Sequence, residues 1–311
     1  MNLAYWTESK GIGGKLLKEE DFLVEEVIDS KFLRKFRRIS GRVAPMDGKY
    51  SLYILEKRGE NTRDAIKQIE KFLRTKDIGY AGLKDKNAIT KQYVTIGGEF
   101  EKEINLGSVK LTFLQKIDKH IAVGDLIGNN FTITLHGIEE NPDKIINEIL
   151  EKGIPNYFGP QRFGVNENNH IAGKFLIKRE FKKVGEKEML KFYIHAYQSW
   201  IFNKVVEEYI ENRGEPYFYD IDIVGFDTKL KNDAFGRIIK NMMKKEGITT
   251  DDFEIKELKI KCMGGRRKAF IKIDRIDYEI RDKKIILKFF LPKGSYATVL
   301  IREITKQNLY P

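Results

Sequence analysis

The sequence predicts an α+β fold in more than one domain, on three observations. Runs rich in β-branched and aromatic residues, bounded by turn residues, recur as strands over 50–55, 93–96, 109–114, 131–135, 269–273 and 285–290, with another over 297–304. The helical patterns fall between them in segregated runs and do not alternate strictly with strands, which argues against a doubly wound sheet. The chain has 311 residues, beyond the size at which single cores usually stop growing, so two domains are expected.

Each helix has its own signal. In the first, Thr62 or Asn61 caps a segment in which Ala65, Ile66, Ile69, Phe72 and Leu73 recur at helical spacing. Asn141-Pro142-Asp143 starts a second, with proline in the first turn and Ile145, Ile146, Ile149 and Leu150 as its buried stripe. A longer helix is expected over about 186–210, with Tyr197, Ile201, Val205 and Tyr209 on one side. Arg281-Asp282-Lys283 turns the last hairpin. Neither an internal repeat nor a low-complexity linker marks a domain boundary.

Hydrophobic residues make up 41% of the chain, enough for a packed core, and no run approaches the apolar length of a membrane span. The first residues lack the charged start and apolar centre of a signal peptide. The single cysteine, Cys262, excludes an internal disulfide framework and any multi-cysteine metal site. These features read as cytoplasmic. The net charge is +11, a statement about partners more than about fold. Lys31, Arg34, Lys35, Arg37, Arg38 and Arg42 interleave with Phe32, Leu33, Phe36 and Ile39, and Arg266, Arg267 and Lys268 follow the flexible pair Gly264-Gly265. Clustered cations of this kind neutralise phosphates, which favours nucleic-acid binding; a lysine-rich solvated surface is the plainer alternative.

The most informative stretch is 79–92, Gly-Tyr-Ala-Gly-Leu-Lys-Asp-Lys-Asn-Ala-Ile-Thr-Lys-Gln. It places two glycines, one acid and three lysines between an amphipathic helix and a short apolar strand, more than a plain chain reversal needs. Loops on a rigid scaffold are where catalytic groups concentrate. Asp85, between Lys84 and Lys86, is expected to be held anionic by its basic setting, as suits a nucleophile or a fixed negative charge. An ordinary loop aspartate caps a turn.

This loop resembles the signature of the TruD family of tRNA pseudouridine synthases, whose catalytic aspartate corresponds to Asp85. Four further motifs follow the family's order: Asp21-Phe22-Leu23-Val24-Glu25-Glu26; Ile154-Pro155-Asn156-Tyr157-Phe158-Gly159-Pro160-Gln161-Arg162-Phe163-Gly164; Tyr197-Gln198-Ser199-Trp200-Ile201-Phe202-Asn203; and Leu291-Pro292-Lys293-Gly294-Ser295-Tyr296-Ala297-Thr298. The resemblance implies a core of mixed, mainly antiparallel sheet formed by 1–163 and 279–311, with a family-specific α+β insertion over 164–278. It implies isomerisation of a tRNA uridine, uridine 13 in the family, to pseudouridine. That reaction breaks the bond from ribose C1′ to uracil N1 and rejoins the base through C5; nothing is oxidised and nothing leaves, so no redox cofactor and no metal is required. The target base must be flipped from its stack.

The resemblance also implies roles for residues. Asp85 supplies the carboxylate; attack on C1′, proton abstraction towards a glycal and attack on uracil C6 all use it. Phe131 aligns with the aromatic that stacks on the target base, although a core phenylalanine at a strand start has the same pattern. Asn129 matches an asparagine near the active site. A cation paired with Asp85 is expected from the segment before the Asp-Phe motif, Lys18 first and Lys15 second; the segment is shorter here than in the family. Arg162 binds an RNA phosphate or supports the catalytic loop, and Lys293 and Tyr296 contact RNA or buttress that loop, with Lys84, Arg266 and Arg267 in the same group. Gly159 and Gly164 answer backbone demands, and Gln198 and Trp200 pack beneath the site.

Two other readings compete. For a cofactor-dependent RNA methyltransferase or a nuclease, Gly11-Ile12-Gly13-Gly14 is a weak glycine signal, and His120, His136, His170 and His195 have no metal-ligand spacing. A non-catalytic basic RNA-binding module accounts for the charge but gives Asp85 no reason to sit in so elaborate a loop.

Overall fold

The computed structural model describes residues 3–307 apart from 35, 40, 41, 46, 181–184 and 213, and leaves the side chains of 35–46 undescribed. The expected basic cluster therefore falls partly outside the described residues: Lys35 entirely, Arg37, Arg38 and Arg42 in their side chains. The fold is α+β, and the chain divides into two compact units. One comprises 14–139 and 275–294; the other comprises 1–13, 140–274 and 295–311. The family-implied insertion over 164–278 falls in the latter except for 275–278. Among the described residues no helix is long and apolar enough to cross a membrane.

The 14–139/275–294 unit is organised by a ten-stranded mixed sheet. Its main path runs Ile276–Arg281, Lys284–Pro292, Leu126–Ile138, Phe22–Ile28, Ile89–Gly97, Tyr50–Lys57, Val109–Ile117, Ile104–Asn105. Phe22–Ile28 and Ile89–Gly97 run parallel, and the other neighbours on this path pair antiparallel. Helix α1 (Thr62–Leu73) begins at the Asn61 cap, whose side chain accepts the Asp64 N–H. Its Ala65, Ile66 and Ile69 pack on Tyr53, Leu55, Val94, Ile96 and Leu111; each buried isoleucine contributes about 1.5–3 kcal/mol. A second cluster holds Ile28, Phe32, Leu52, Ala81, Ile117 and Ile121. The 281–283 turn is a two-residue connection in which Asp282 and Lys283 both take positive φ, 47° and 58°. That conformation matches the twist of the flanking strands.

The other unit is mainly helical and, among the described residues, has three short strand pairs: Ile154–Pro155 with Phe270–Ile271, Asp220–Ile223 with Gly265–Lys268, and Glu254–Ile255 with Ile260–Lys261. Its helices are α2 (Asp143–Lys152), α3 (Asn169–Ile177), α4 (Lys187–Glu211), α5 (Ala234–Glu246) and α6 (Ala297–Thr305). Helix α4 buries Ile194, Tyr197, Ile201, Phe202 and Val205. Two expectations are corrected here. The 297–304 segment is helix α6, not a strand: its β-branched Thr298, Val299, Ile301, Ile304 and Thr305 suggest a strand by propensity, but burial of eight of the nine helix residues overrides that preference. Of the glycine pair expected to be flexible, Gly265 already belongs to the paired strand Gly265–Lys268 that carries Arg266, Arg267 and Lys268. Gly264 lets backbone approach closely, since a Cβ there would lie 2.7 Å from the Ile223 carbonyl oxygen.

Candidate active site

The 81–88 loop is rooted at both ends in one sheet. Ile78–Tyr80 pairs antiparallel with the far half of Ile89–Gly97, setting Gly79 opposite Thr95 and Tyr80 opposite Val94. Gly79 is a necessity of that pairing, because a Cβ would lie 2.2 Å from the Ile121 carbonyl oxygen and 2.7 Å from Thr95 Oγ1. The middle of the loop is tied to the first residue of α1. The Lys84 N–H donates to Thr62 Oγ1 at 2.8 Å, and that hydroxyl donates to Gln92 Oε1 at 2.8 Å. Gln92 Nε2 in turn donates to the Gly82 carbonyl at 3.3 Å.

Lys84 points inward and Asp85 outward. The Lys84 ammonium donates to Glu26 Oε1 at 2.6 Å in a buried ion pair. Glu26 sits on Phe22–Ile28, and its other oxygen accepts the Tyr93 N–H at 3.0 Å. A buried charge needs such a partner, because desolvation of an unpaired one costs several kcal/mol. The second acid of the Glu25-Glu26 motif thus holds the loop, while Glu25 makes a half-exposed pair with Lys91 at 3.2 Å.

Asp85 keeps its side chain open to solvent. Its main-chain carbonyl accepts from Lys57 Nζ at 2.8 Å, and the same ammonium donates to the Glu60 carbonyl at 2.6 Å. Lys57 ends the strand Tyr50–Lys57 and is fully buried. Burial lowers its pKa to about 8, against the upward pull of Asp85. Crowding of protein atoms round the Asp85 carboxyl raises its pKa above the ordinary carboxylate value, and the opposing pulls of Lys57 and then Lys84 do not cancel this. Lys57 and Lys84 favour the anionic form, in the sense expected of a basic setting, but desolvation outweighs them in the net shift. Once ionised, such a carboxylate is a weakly solvated base or nucleophile beside fixed positive charge.

The remaining expected residues are placed as follows. Lys18 is exposed, and its N–H donates to Asp21 Oδ2 at 3.0 Å. The cations acting on Asp85 are Lys57 and Lys84, and neither Lys18 nor Lys15 is among them. Phe131 is only 7% exposed. Its ring stacks on Phe289 (centroids 5.4 Å apart) and meets Phe22 edge-on (6.0 Å), so in this conformation it offers little face to a base. Asn129 lies directly opposite Glu26 in the sheet register, and its buried Oδ1 has no hydrogen-bond partner among the described residues. Lys293 is exposed and supports the neighbouring loop, donating from Nζ to the Gly124 carbonyl and from N–H to the Ile127 carbonyl.

In the helical unit, two more motifs lock together. Asn203 of α4 takes the Phe158 N–H on Oδ1 at 2.7 Å and donates from Nδ2 to the Phe158 carbonyl at 2.9 Å. One turn earlier, Ser199 Oγ accepts Arg162 Nε–H at 3.1 Å. The Arg267 guanidinium lies 4.1 Å from the Phe158 ring centroid and 5.8 Å from that of Tyr296. A Cβ on Gly159 would lie 2.7 Å from Tyr296 Cδ1, and Gly164 takes φ +82°, so both glycines do answer backbone demands. Arg266 is exposed, donates to the Asp220 carbonyl at 3.0 Å and lies 3.8 Å from Asp222. Gln198 and Trp200 are packing residues: Gln198 donates to the Val224 and Met263 carbonyls, and Trp200 stacks between His170 and Tyr197.

Two residues round Asp85, and one in the sheet that supports it, escape sequence reasoning. Lys57 stands in Glu56-Lys57-Arg58, which reads as a solvated charge run, although it is the inward residue of an alternating strand. Glu26 is visible as part of a motif but not as the partner of Lys84. His136 lies 3.0 Å from Asp21 Oδ1 and becomes visible only with the sheet register.

The family model described as tRNA pseudouridine synthase D (TruD) matches residues 2–187 and 213–304. A probable tRNA pseudouridine synthase D of Thermococcus sibiricus is 29% identical, the alignment covering 99% of this chain and 98% of that protein. The tRNA pseudouridine synthase D of Thermus thermophilus is also 29% identical, over 95% of this chain and 90% of that protein. Among solved structures, a putative tRNA pseudouridine synthase D of Methanosarcina mazei superposes with a TM-score of 0.74 at 24% identity, over 98% of this chain and 96% of that one. At that identity the superposition speaks for the fold.

Proposed function

This chain belongs to the tRNA pseudouridine synthase D (TruD) family, and from that premise we propose that it converts uridine 13 of tRNA into pseudouridine in the cytoplasm, with Asp85 as the catalytic carboxylate. The observation that carries the assignment is the placement of Asp85: its side chain faces solvent, while its main chain is held by the buried ammonium of Lys57 and its neighbour Lys84 is locked on Glu26. Attack on C1′, abstraction of a sugar proton and attack on uracil C6 each require the ionised carboxylate. The nearby lysines favour that form, and partial desolvation makes it more reactive than a hydrated carboxylate. Lys57 takes the role expected of Lys18, as the cation that orients Asp85. Asn129, whose buried amide oxygen has no hydrogen-bond partner among the described residues and which lies opposite Glu26 in the register, is the acceptor we assign to a donor of the flipped base, and Phe131 supports the sheet beneath. The isomerisation is redox-neutral: C5 gives up its proton and the freed N1 takes one up, so nothing is lost overall and it proceeds without a metal or cofactor. We retain 164–278 as the family-specific insertion within a core of 1–163 and 279–311.

The test is incubation of EDTA-treated protein with unmodified tRNA transcript, followed by carbodiimide mapping of pseudouridine by primer-extension stops. One new stop at position 13, absent with Asp85→Ala although RNA affinity stays within a few-fold, is the expected result. Tight tRNA binding without any stop would favour a non-catalytic RNA-binding protein. Activity that survives Asp85→Ala would remove Asp85 from its role.

A further inference from the structure

The cluster round Phe158 lies in the helical unit and takes no part in the chemistry assigned to Asp85. Two guanidinium groups gather at one aromatic ring there: Arg267 at 4.1 Å and Arg162 at 5.8 Å from the Phe158 centroid. The framework is rigid. Phe158 has both main-chain groups fixed by Asn203, and Arg267 donates to the Asn156 carbonyl, Asn156 Oδ1 and the Tyr157 carbonyl at 2.9, 2.9 and 3.2 Å. Arg162 is held through Nε by Ser199, whose own hydroxyl donates to the His195 carbonyl at 2.8 Å.

Two cations are thus held together in partial burial. Burial lowers the pKa of Arg162, and Tyr296 pulls it back up. For Arg267 burial lowers the pKa to about 10, with Tyr296 pulling up and Arg162 pushing down. A partly desolvated arginine is ordinarily compensated by a carboxylate. Among the described residues none acts on Arg162, and its Nε is its one nitrogen that hydrogen-bonds. Its two terminal amino groups form a fork with the geometry of a phosphate contact. All four side chains remain partly open to solvent, so an anion can reach them, and the two aromatic rings offer stacking surface next to it.

We propose that Phe158, Arg162, Arg267 and Tyr296 form a binding site for one RNA phosphodiester, with the adjoining nucleobase stacked on the aromatic pair. This deepens the tRNA reading and rests on it for the identity of the RNA. The site holds the backbone of the substrate; the isomerisation itself belongs to Asp85.

The test is filter binding of an unmodified tRNA transcript and of poly(U) between about 50 and about 200 mM NaCl, for wild type, Arg162→Gln and Arg162→Lys. Loss of one phosphate contact should reduce the slope of log affinity against log salt by about 0.7–0.9 in Arg162→Gln and weaken binding about tenfold. Arg162→Lys should keep the wild-type slope but lose affinity severalfold, because an ammonium cannot reproduce the fork. An Arg162→Gln protein with the wild-type urea midpoint, slope and affinity overturns the proposal. If that variant fails to fold, Arg162→Lys decides: unchanged affinity overturns the proposal, and a severalfold loss at constant slope upholds it. Pseudouridine formation measured on the same preparations separates the two readings. Isomerisation by wild type with an unchanged slope in Arg162→Gln removes the phosphate site alone. An arginine-dependent slope in a wild type that makes no pseudouridine removes the enzymatic reading alone, and a wild type that binds neither RNA removes both.

Discussion

Replacing Lys57 with methionine separates the stability of the fold from the placement of Asp85. The lysine is fully buried and donates to two carbonyls, at 2.6 and 2.8 Å. Its pKa falls from 10.5 to about 8, which corresponds to a penalty of about 3 kcal/mol on the charged form at roughly 1.4 kcal/mol per tenfold. Lys57→Met returns that penalty and loses two hydrogen bonds from a charged donor, worth about 1.5–3 kcal/mol each. The net cost is therefore about 0–3 kcal/mol, so the variant should fold. Its chemistry should suffer more. The Asp85 main chain loses its anchor, and misplacement on the ångström scale costs on the order of 10²-fold in rate. The largest downward pull on the Asp85 carboxyl also disappears, so the acid limb of the pH–rate profile moves to higher pH. Wild type should in addition decline as pH rises through about 8, where Lys57 loses its charge, and the variant should lack that limb. The assay is single-turnover release of tritium from tRNA transcript labelled at uridine C5, from about pH 5.5 to about pH 8.5. A Lys57→Met enzyme with the wild-type rate and both limbs in place refutes the reasoning.

Other perturbations read the supporting structure. Glu26→Gln leaves the buried Lys84 ammonium without its carboxylate and should cost about 3–5 kcal/mol in urea unfolding; the double variant Glu26→Leu/Lys84→Met should recover much of it. Gly79→Ala drives a methyl group to 2.2 Å from the Ile121 carbonyl and should destabilise by about 1–3 kcal/mol or more, visible as a lower thermal midpoint. For Asp21, burial pushes the carboxyl pKa up, but hydrogen bonds from His136 and from the Leu17 and Lys18 N–H groups bring it below its ordinary value of 3.8. A depressed carboxylate stabilises fully above its unfolded value and loses that contribution as pH falls from 3.8 through the folded pKa. Acid unfolding in this window should flatten in Asp21→Asn.

What was legible in the sequence was local. Helix α1 shows its cap, its stripe and its length within a dozen residues, and the last hairpin shows its turn. Asp85 stands out because its motif is contiguous. The groups that make Asp85 useful are distant along the chain: Lys57 reaches it from 28 residues away, and Glu26 reaches Lys84 from 58. A strand-end lysine between Glu56 and Arg58 looks the same whether it snorkels to water or turns inward, and only the sheet decides. Helix α6 was hidden for a different reason: its β-branched residues Thr298, Val299, Ile301, Ile304 and Thr305 carry strand propensity, and burial against the rest of the unit overrides it. Phe131 shows how far a motif reaches: the residue is where the pattern puts it, but its ring is engaged with Phe289 and Phe22.

The loop that carries Asp85 is pinned at its first strand, at its last strand and, through Lys84, in the middle. A segment tethered three times cannot serve as its own lid. On the proposed role of Asp85, adaptation on encounter therefore falls to the nucleic acid: the uridine would swing out and come to a carboxylate that is already waiting, so the barrier to engagement reflects how readily that stretch of RNA opens. RNAs that are loose at the target uridine should react ahead of those that are tightly stacked, and selection of a substrate becomes partly a measurement of its softness.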